Sequence, residues 1–112
     1  MDHEISERAG VKIVHVHGPI DVSRALELRE LLGAQIDSAS ARVLLDVSDV
    51  PLIDSSGIGI LVTAHRRATG QGARFGVSGA TGTVARVFEM TRTNKLLSLF
   101  GTVDEGVAEL AG

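Results

Sequence analysis

The residues Val43-Leu44-Leu45-Asp46-Val47 form a short run in which aliphatic side chains follow one another with almost no polar interruption. Successive side chains of a strand point to opposite faces of a sheet, so this run needs apolar cover on both faces. Such cover is typical of a central strand in a parallel sheet that has helices on either side. The run therefore predicts an α/β fold with Val43–Val47 at its centre.

Hydrophobic periodicity and turn residues predict the remaining elements of the fold. Further strands are expected at residues 5–8, 11–17, 74–77 and 97–100, and the first two of these form a hairpin through Ala9-Gly10. Helices are expected from Val22 through Ile36, at 55–69 with a cap at Gly70, at 83–91 and at 104–110. The predicted order is β-β-α-β-α-β-α-β-α, a mixed, mostly parallel sheet flanked by about four helices with right-handed crossovers.

Composition limits the number of domains, the type of partner and the cellular compartment that we expect. A chain of 112 residues with 44% hydrophobic and 22% charged residues fits one domain that spans residues 1–112. A net charge of -3, with three Phe and no Trp or Tyr, argues against nucleic acid as a partner. The chain has no Cys, no apolar run of membrane-spanning length and no signal-peptide pattern at its start. We therefore expect a cytoplasmic protein that does not contact a membrane.

The segment from Leu52 to Gly59 carries the most specific signal in the sequence. Asp54 or Ser55 can cap the predicted helix, since a side-chain oxygen at that position accepts from a free amide of the first turn. Capping does not explain Gly57 and Gly59, each of which costs about 1 kcal/mol inside a helix relative to alanine. Either the sheet or a partner must therefore come close to this backbone. Ile58, between the two glycines, either projects from that surface or packs inward.

Residues 46–61 resemble the hallmark of STAS domains, in which a strand ending in Asp leads to an aspartate-serine-serine-glycine turn and a glycine-interrupted helix. The segment Gly18-Pro19-Ile20-Asp21 and the order of the segments at 72–74 and 84–97 are also similar to the family. The resemblance implies a single STAS domain of the anti-sigma factor antagonist group, a bacterial regulator that is not an enzyme. In that group the first serine of the pair is phosphorylated, which corresponds to Ser55, with Ser56 as the alternative.

The resemblance also implies a mechanism of partner switching. The unphosphorylated form binds an anti-sigma factor that is also a serine kinase, which frees the sigma factor, and phosphorylation switches this binding off. The residues expected to meet the partner are Asp21, Asp54, Ser56, Gly57, Ile58 and Gly59. A phosphate would add about 1.5 to 2 negative charges near Asp54, while the helix start would keep the modified chain folded. The kinase binds the ATP, so no cofactor is expected for this chain. A phosphatase is expected as a second partner, and the chain itself is expected to be a monomer or a weak dimer.

Several alternatives remain open at this level. Asp21 either lies beside the phosphorylation site, as the resemblance implies, or caps the first helix. The segment Thr91-Arg92-Thr93 departs from the threonine-glycine-leucine that many members of the family have. In place of sigma-factor control, the domain could be a structural subunit of a signalling or lipid transport complex, or a module that binds a nucleotide or lipid.

Catalytic and metal sites are not predicted. Ser55 lacks the elbow motif of hydrolases and no general base is tied to it by motif. His15 and His17 lie two apart on a predicted strand and so share one face, which could supply two metal ligands. No third ligand is identifiable in the sequence, and histidines of a partly exposed strand are the simpler interpretation.

Overall fold

Five strands form one sheet in the order β1-β2-β3-β4-β5 in the computed structural model, which describes residues 1–112. The elements are β1 (His3–Arg8), β2 (Val11–His17), α1 (Ala25–Gln35), β3 (Arg42–Asp49), α2 (Ser55–Gln71), β4 (Arg74–Ser78), α3 (Gly82–Met90), a 3-10 turn (Thr93–Lys95), β5 (Leu99–Phe100) and α4 (Val103–Ala111). The predicted order of strands and helices is confirmed, and the 3-10 turn is the one addition.

The sheet is mixed, with one antiparallel pair and three parallel pairs. β1 pairs antiparallel with β2, and the pairs β2-β3, β3-β4 and β4-β5 are parallel. β3 is the middle strand, and its side chains enter two separate cores: Val43, Leu45 and Val47 on one face, Leu44 on the other. The prediction of a central strand covered on both faces is confirmed.

The helices are divided unequally between the two faces of the sheet. Side chains of α1, α2 and α3 fill the larger core, while Val107 and Leu110 of α4 fill the smaller one. Arg42 and Arg74 donate to the carbonyls of the last residues of α4, at 2.7 and 3.2 Å, where cations also suit the negative end of the helix dipole. No helix has the length and apolar character that crossing a membrane requires.

Two predicted helix boundaries differ from the structure by two residues or more. Residues 22–24 form a turn, so α1 begins at Ala25 rather than at Val22. α2 passes through Gly70 and ends at Gln71; its C-cap is Gly72, where φ is 81°, and the amide of Ala73 donates to the carbonyl of Ala68. The prediction of a cap at Gly70 is wrong, because the left-handed position that closes the helix lies two residues later.

The departure at Thr91-Arg92-Thr93 has a clear structural consequence. Arg92 follows the C-cap residue Thr91 of α3 and takes a left-handed conformation with φ of 60°. Its amide donates to the carbonyl of Glu89 at 3.1 Å, which closes the helix end. Glycine meets this requirement without steric cost, whereas a residue with a Cβ is strained there by about 1–2 kcal/mol.

We predict that Arg92→Gly raises the free energy of unfolding by about 0.5–1 kcal/mol, because relief of the left-handed strain outweighs the greater entropy of glycine in the unfolded chain. Urea unfolding followed by far-ultraviolet circular dichroism measures the change. Arg66→Gly is the matched control, since Arg66 is an exposed arginine inside α2 and its replacement should destabilise by about 1 kcal/mol. A loss of stability in Arg92→Gly would contradict the prediction.

Candidate functional site

The start of α2 is fixed by the side chain of Asp54. Its Oδ1 accepts from the amide of Gly57 at 3.0 Å, and its carbonyl accepts from the amide of Ile58 at 3.0 Å. Of the two caps considered from the sequence, Asp54 is therefore the cap. Ser55 is the first helical residue, and its side chain is exposed.

Asp54 also joins the loop after β2 to the loop after β3. The amide of Ile20 donates to the carbonyl of Leu52 at 3.0 Å, and the amide of Asp54 donates to the carbonyl of Ile20 at 3.1 Å. The second carboxylate oxygen of Asp54 accepts from the amide of Val22 at 3.2 Å. These bonds bring the segment that carries Asp21 against the turn that carries Ser55, a closeness that the sequence could not establish.

Asp21 lies on the first of these loops with a preorganised carboxylate. Its Oδ1 accepts from the hydroxyl and the amide of Ser23, at 2.5 and 3.0 Å. The hydroxyl of Ser23 lowers the pKa of Asp21 most, and the backbone amides and the nearby charge of Arg24 lower it further. The alternative in which Asp21 caps the first helix is wrong, because the residue before α1 is Arg24. Asp21 contributes a negative charge to the site.

Gly57 and Ile58 shape this site from beneath and do not form its surface. A Cβ on Gly57 would lie 2.6 Å from Ile20 Cγ2 and 2.6 Å from Ile53 Cγ1, so the two joined loops require its bare backbone. Ile58 is 7% exposed and packs into the larger core. The expectation that these two residues meet a partner directly is therefore corrected, because both are buried.

Gly59 differs from Gly57 in having no neighbour that requires glycine. It is exposed, and no atom lies within 4 Å of the position that its Cβ would occupy. Residues four apart share a helix face, so Gly59 lies beside Ser55 on the open side of α2. Of the two explanations for the glycines, close approach within the domain accounts for Gly57 only.

Two exposed apolar side chains near Ser55 were missed at the sequence level. Val22 is 74% exposed and Leu52 is 44% exposed, and each lies on one of the two joined loops. Val22 was assigned to a helix and Leu52 to the loop of residues 48–53, and neither was considered as an apolar surface. The one available signal was their position next to the Asp21 and Asp54 turns. Together they give the site an apolar border.

A second polar cluster lies on the face of the sheet that α4 partly covers. His17 Nε2 lies 2.8 Å from Glu4 Oε2, and His15 Nε2 lies 2.6 Å from Asp49 Oδ2. The hydrogen bond with Glu4 raises the pKa of His17, and the same bond lowers the pKa of Glu4. The argument that no third metal ligand accompanies the two histidines does not hold in the folded chain, because Glu4 joins them.

Fold and site together define a single α/β domain in which a capped helix start presents an exposed serine beside two carboxylates. The STAS domain family model matches residues 2–106, and the chain belongs to this family. The anti-sigma-F factor antagonist RsfB of Mycobacterium tuberculosis is 25% identical over 108 residues, covering 96% of this chain and 88% of RsfB. The structure of an anti-sigma factor antagonist from Mycobacterium paratuberculosis superposes with a TM-score of 0.86 at 26% identity, covering 99% of this chain and 94% of that one.

SpoIIAA of Bacillus shares the fold at lower identity. Its unphosphorylated form superposes with a TM-score of 0.70 at 13% identity, covering 99% of both chains. Its phosphorylated form gives the same TM-score of 0.70 at 15% identity, covering 96% of this chain and 98% of that one. The predicted STAS fold is confirmed by these likenesses.

We predict opposite effects of the same substitution at the two glycines of α2. Gly57→Ala should lower the free energy of unfolding by about 1–3 kcal/mol, because the new methyl overlaps two isoleucine side chains. Gly59→Ala should raise it by about 0.5–1 kcal/mol, because alanine is the better helix former and nothing is displaced. Urea unfolding measures both values. Equal effects at the two positions would contradict the assignment of the close approach to Gly57.

Proposed function

We propose that this chain is an anti-sigma factor antagonist controlled by phosphorylation of Ser55. In the unphosphorylated state it binds an anti-sigma factor that is also a serine kinase, and the sigma factor is released. The proposal is supported by the names of the two mycobacterial relatives and by membership of the STAS family. The observation that carries it is the exposed Ser55 at the first position of a helix whose cap is supplied by its neighbour Asp54.

Ser55 fits the acceptor role better than Ser56. The Ser55 side chain is exposed, whereas Ser56 is half-buried between Ser55 and the buried Gly57. In the proposed reaction the kinase supplies the catalytic groups and the ATP. The Ser55 oxygen forms a bond to the γ-phosphorus as the bond to the leaving ADP breaks, and the hydroxyl proton passes to the kinase. This chain then acts by binding and needs no cofactor of its own.

Phosphorylation would make the binding surface more negative. It adds about 1.5 to 2 negative charges beside the carboxylates of Asp54 and Asp21. The nearest cation on these loops, Arg24, donates to the carbonyl of His17 at 3.5 Å and contributes its charge to Asp21. A partner that packs closely on this turn would then have to accommodate the volume of a phosphate and pay for its desolvation, which weakens binding even where basic residues face the turn.

The phosphorylated chain is expected to keep its fold. Gly57 and Ile58 give their amides to Asp54, while the amides of Ser55 and Ser56 donate to no acceptor within the protein. These free amides at the positive end of α2 can donate to a phosphate without disturbing the cap. The proposed switch therefore acts on the interface and not on the fold.

The surface also indicates the chemistry of the partner. Val22 and Leu52 offer apolar area, Asp21 and Asp54 offer negative charge, and Gly59 leaves the helix backbone open to close contact. We expect a partner with an apolar patch bordered by basic residues and a segment that packs flat on α2. Because that partner uses ATP and acts on sigma factors, we place the switch in the cytoplasm, with a phosphatase that restores Ser55.

We predict that incubation with the cognate kinase and ATP adds one phosphate to the natural chain and to Ser56→Ala, and none to Ser55→Ala. Intact-mass spectrometry counts the phosphates, and tryptic peptides locate them. Ser56→Ala is the matched control because it removes the neighbouring hydroxyl of the same turn. Phosphate on Ser55→Ala would show that the site assignment is wrong.

Gly59→Ala separates binding from stability. We expect the unphosphorylated variant to bind the anti-sigma factor kinase about tenfold more weakly than the natural chain does, since a methyl group forced into a close interface costs about 1–3 kcal/mol. Isothermal titration calorimetry measures the affinity. Gly70→Ala is the control, because Gly70 is also exposed in α2 with nothing within 4 Å of its Cβ position. Unchanged affinity in Gly59→Ala would contradict the proposed contact surface.

A further inference from the structure

The side chains of Glu4, His15, His17 and Asp49 meet on one face of the sheet. This cluster lies on the same face of β2 as Val11 and Ile13, whose side chains are covered by α4. Beyond the reach of α4 the face is open, and the two histidine side chains are about one third exposed, at 32% and 33%. The cluster is distinct from the Ser55 site, since α2 packs on the opposite face of the sheet.

An irregularity in strand pairing brings Asp49 into this cluster. His15 pairs with Asp46, but His17 pairs with Asp49, so β3 contains one extra residue between these positions. In a regular ladder His17 would pair with Ser48, and Asp49 would point to the other face. The bulge therefore exchanges a serine for a carboxylate opposite the histidine pair.

The distances suit shared coordination of one ion. The imidazole rings stack with centroids 4.6 Å apart. One ligand atom from each of Glu4, His15 and His17 lies within 4.8 Å of the others. Asp49 Oδ2 lies 2.6 Å from His15 Nε2 and 3.7 Å from His17 Nδ1. Ligand atoms around a tetrahedral Zn²⁺ stand about 3.3 Å apart, so these side chains must rotate to close around an ion, because Glu4 bonds to Nε2 of His17 while Asp49 lies nearer its Nδ1.

We propose that Glu4, His15 and His17 bind a divalent transition-metal ion of the Zn²⁺ class, with Asp49 as the fourth ligand. Two imidazoles with two carboxylates and no thiolate form a donor set that Zn²⁺, Co²⁺, Ni²⁺ and Cu²⁺ accept, whereas Mg²⁺ and Ca²⁺ prefer oxygen alone. Asp46 Oδ2 lies 3.8 Å from His15 Nδ1, so a small rotation lets a buried carboxylate orient the ring from its far side.

A bound ion would link three neighbouring strands at one edge of the sheet. Glu4 is on β1, the histidines are on β2 and Asp49 is on β3. β1 is exposed along its whole length and is the antiparallel edge of the sheet. Metal binding would therefore fasten the edge strand to the centre, and it should raise the thermal stability of the chain as ligand binding to a folded state does.

The test is titration of the untagged full chain with Zn²⁺ alone by isothermal titration calorimetry. We expect one ion per chain, with affinity reduced at least tenfold in His15→Ala, in His17→Ala and in Glu4→Gln. His3→Ala is the matched control, because His3 is next to Glu4 on β1 but faces the other way and bonds to the carbonyl of Met1. It should bind with the natural affinity.

Two further measurements keep the result decisive. Far-ultraviolet circular dichroism verifies that each variant is folded, and a Zn²⁺-dependent rise in melting temperature should occur in the natural chain and in His3→Ala but not in His17→Ala. Co²⁺ should give the visible absorption of a four-coordinate site in the natural chain. The proposal fails if the natural chain shows no saturable Zn²⁺ binding, or if the His15→Ala/His17→Ala double variant binds with unchanged affinity.

Discussion

Burial of β3 on both faces is the constraint on which the other elements depend. Its side chains alternate between two cores, so helices must cover the sheet on both sides. The parallel neighbours of β3 also end at the same edge of the sheet as β3 itself. The loops after β2 and β3 therefore meet at that edge, and the hydrogen bonds of Ile20, Leu52 and Asp54 join them there. The position of Ser55 is thus a consequence of strand order.

The start of α2 divides its residues between structure and surface. Asp54 and Gly57 hold the helix against the joined loops. Replacing Asp54 would remove a hydrogen bond, and replacing Gly57 would create a steric overlap. Ser55 and Gly59 lie on the open side, where the fold makes no demand on them. Gly59 lowers helix stability without any gain inside the domain, which is the pattern expected of a residue retained for a partner. In the proposed function, one short segment therefore serves stability and binding through different faces.

The two proposed sites both lie near the end of β2, one on the side of the sheet that α2 covers and the other on the side that α4 covers. His17 is the last residue of β2, and the loop with Asp21 begins directly after it. The Ser55 surface combines negative charge with apolar area, whereas the histidine cluster combines imidazole with carboxylate. The first chemistry suits a protein partner and the second suits a metal ion. Neither proposal depends on the other.

Sequence alone determined the fold class, because the uninterrupted run at 43–47 and the period of the helices depend only on local burial patterns. It also singled out the two glycines, because glycine inside a helix is unfavourable wherever the chain folds, and the resemblance of the surrounding segment to STAS domains made Ser55 the candidate site. Residues separated along the chain were beyond its reach. The contact of Asp54 with Val22, the burial of Ile58 and the meeting of Glu4 with His17 arise from strand pairing and a bulge. Only the tertiary structure decided these, because a side chain's neighbours across a sheet depend on register, and one inserted residue changes the face to which a side chain points.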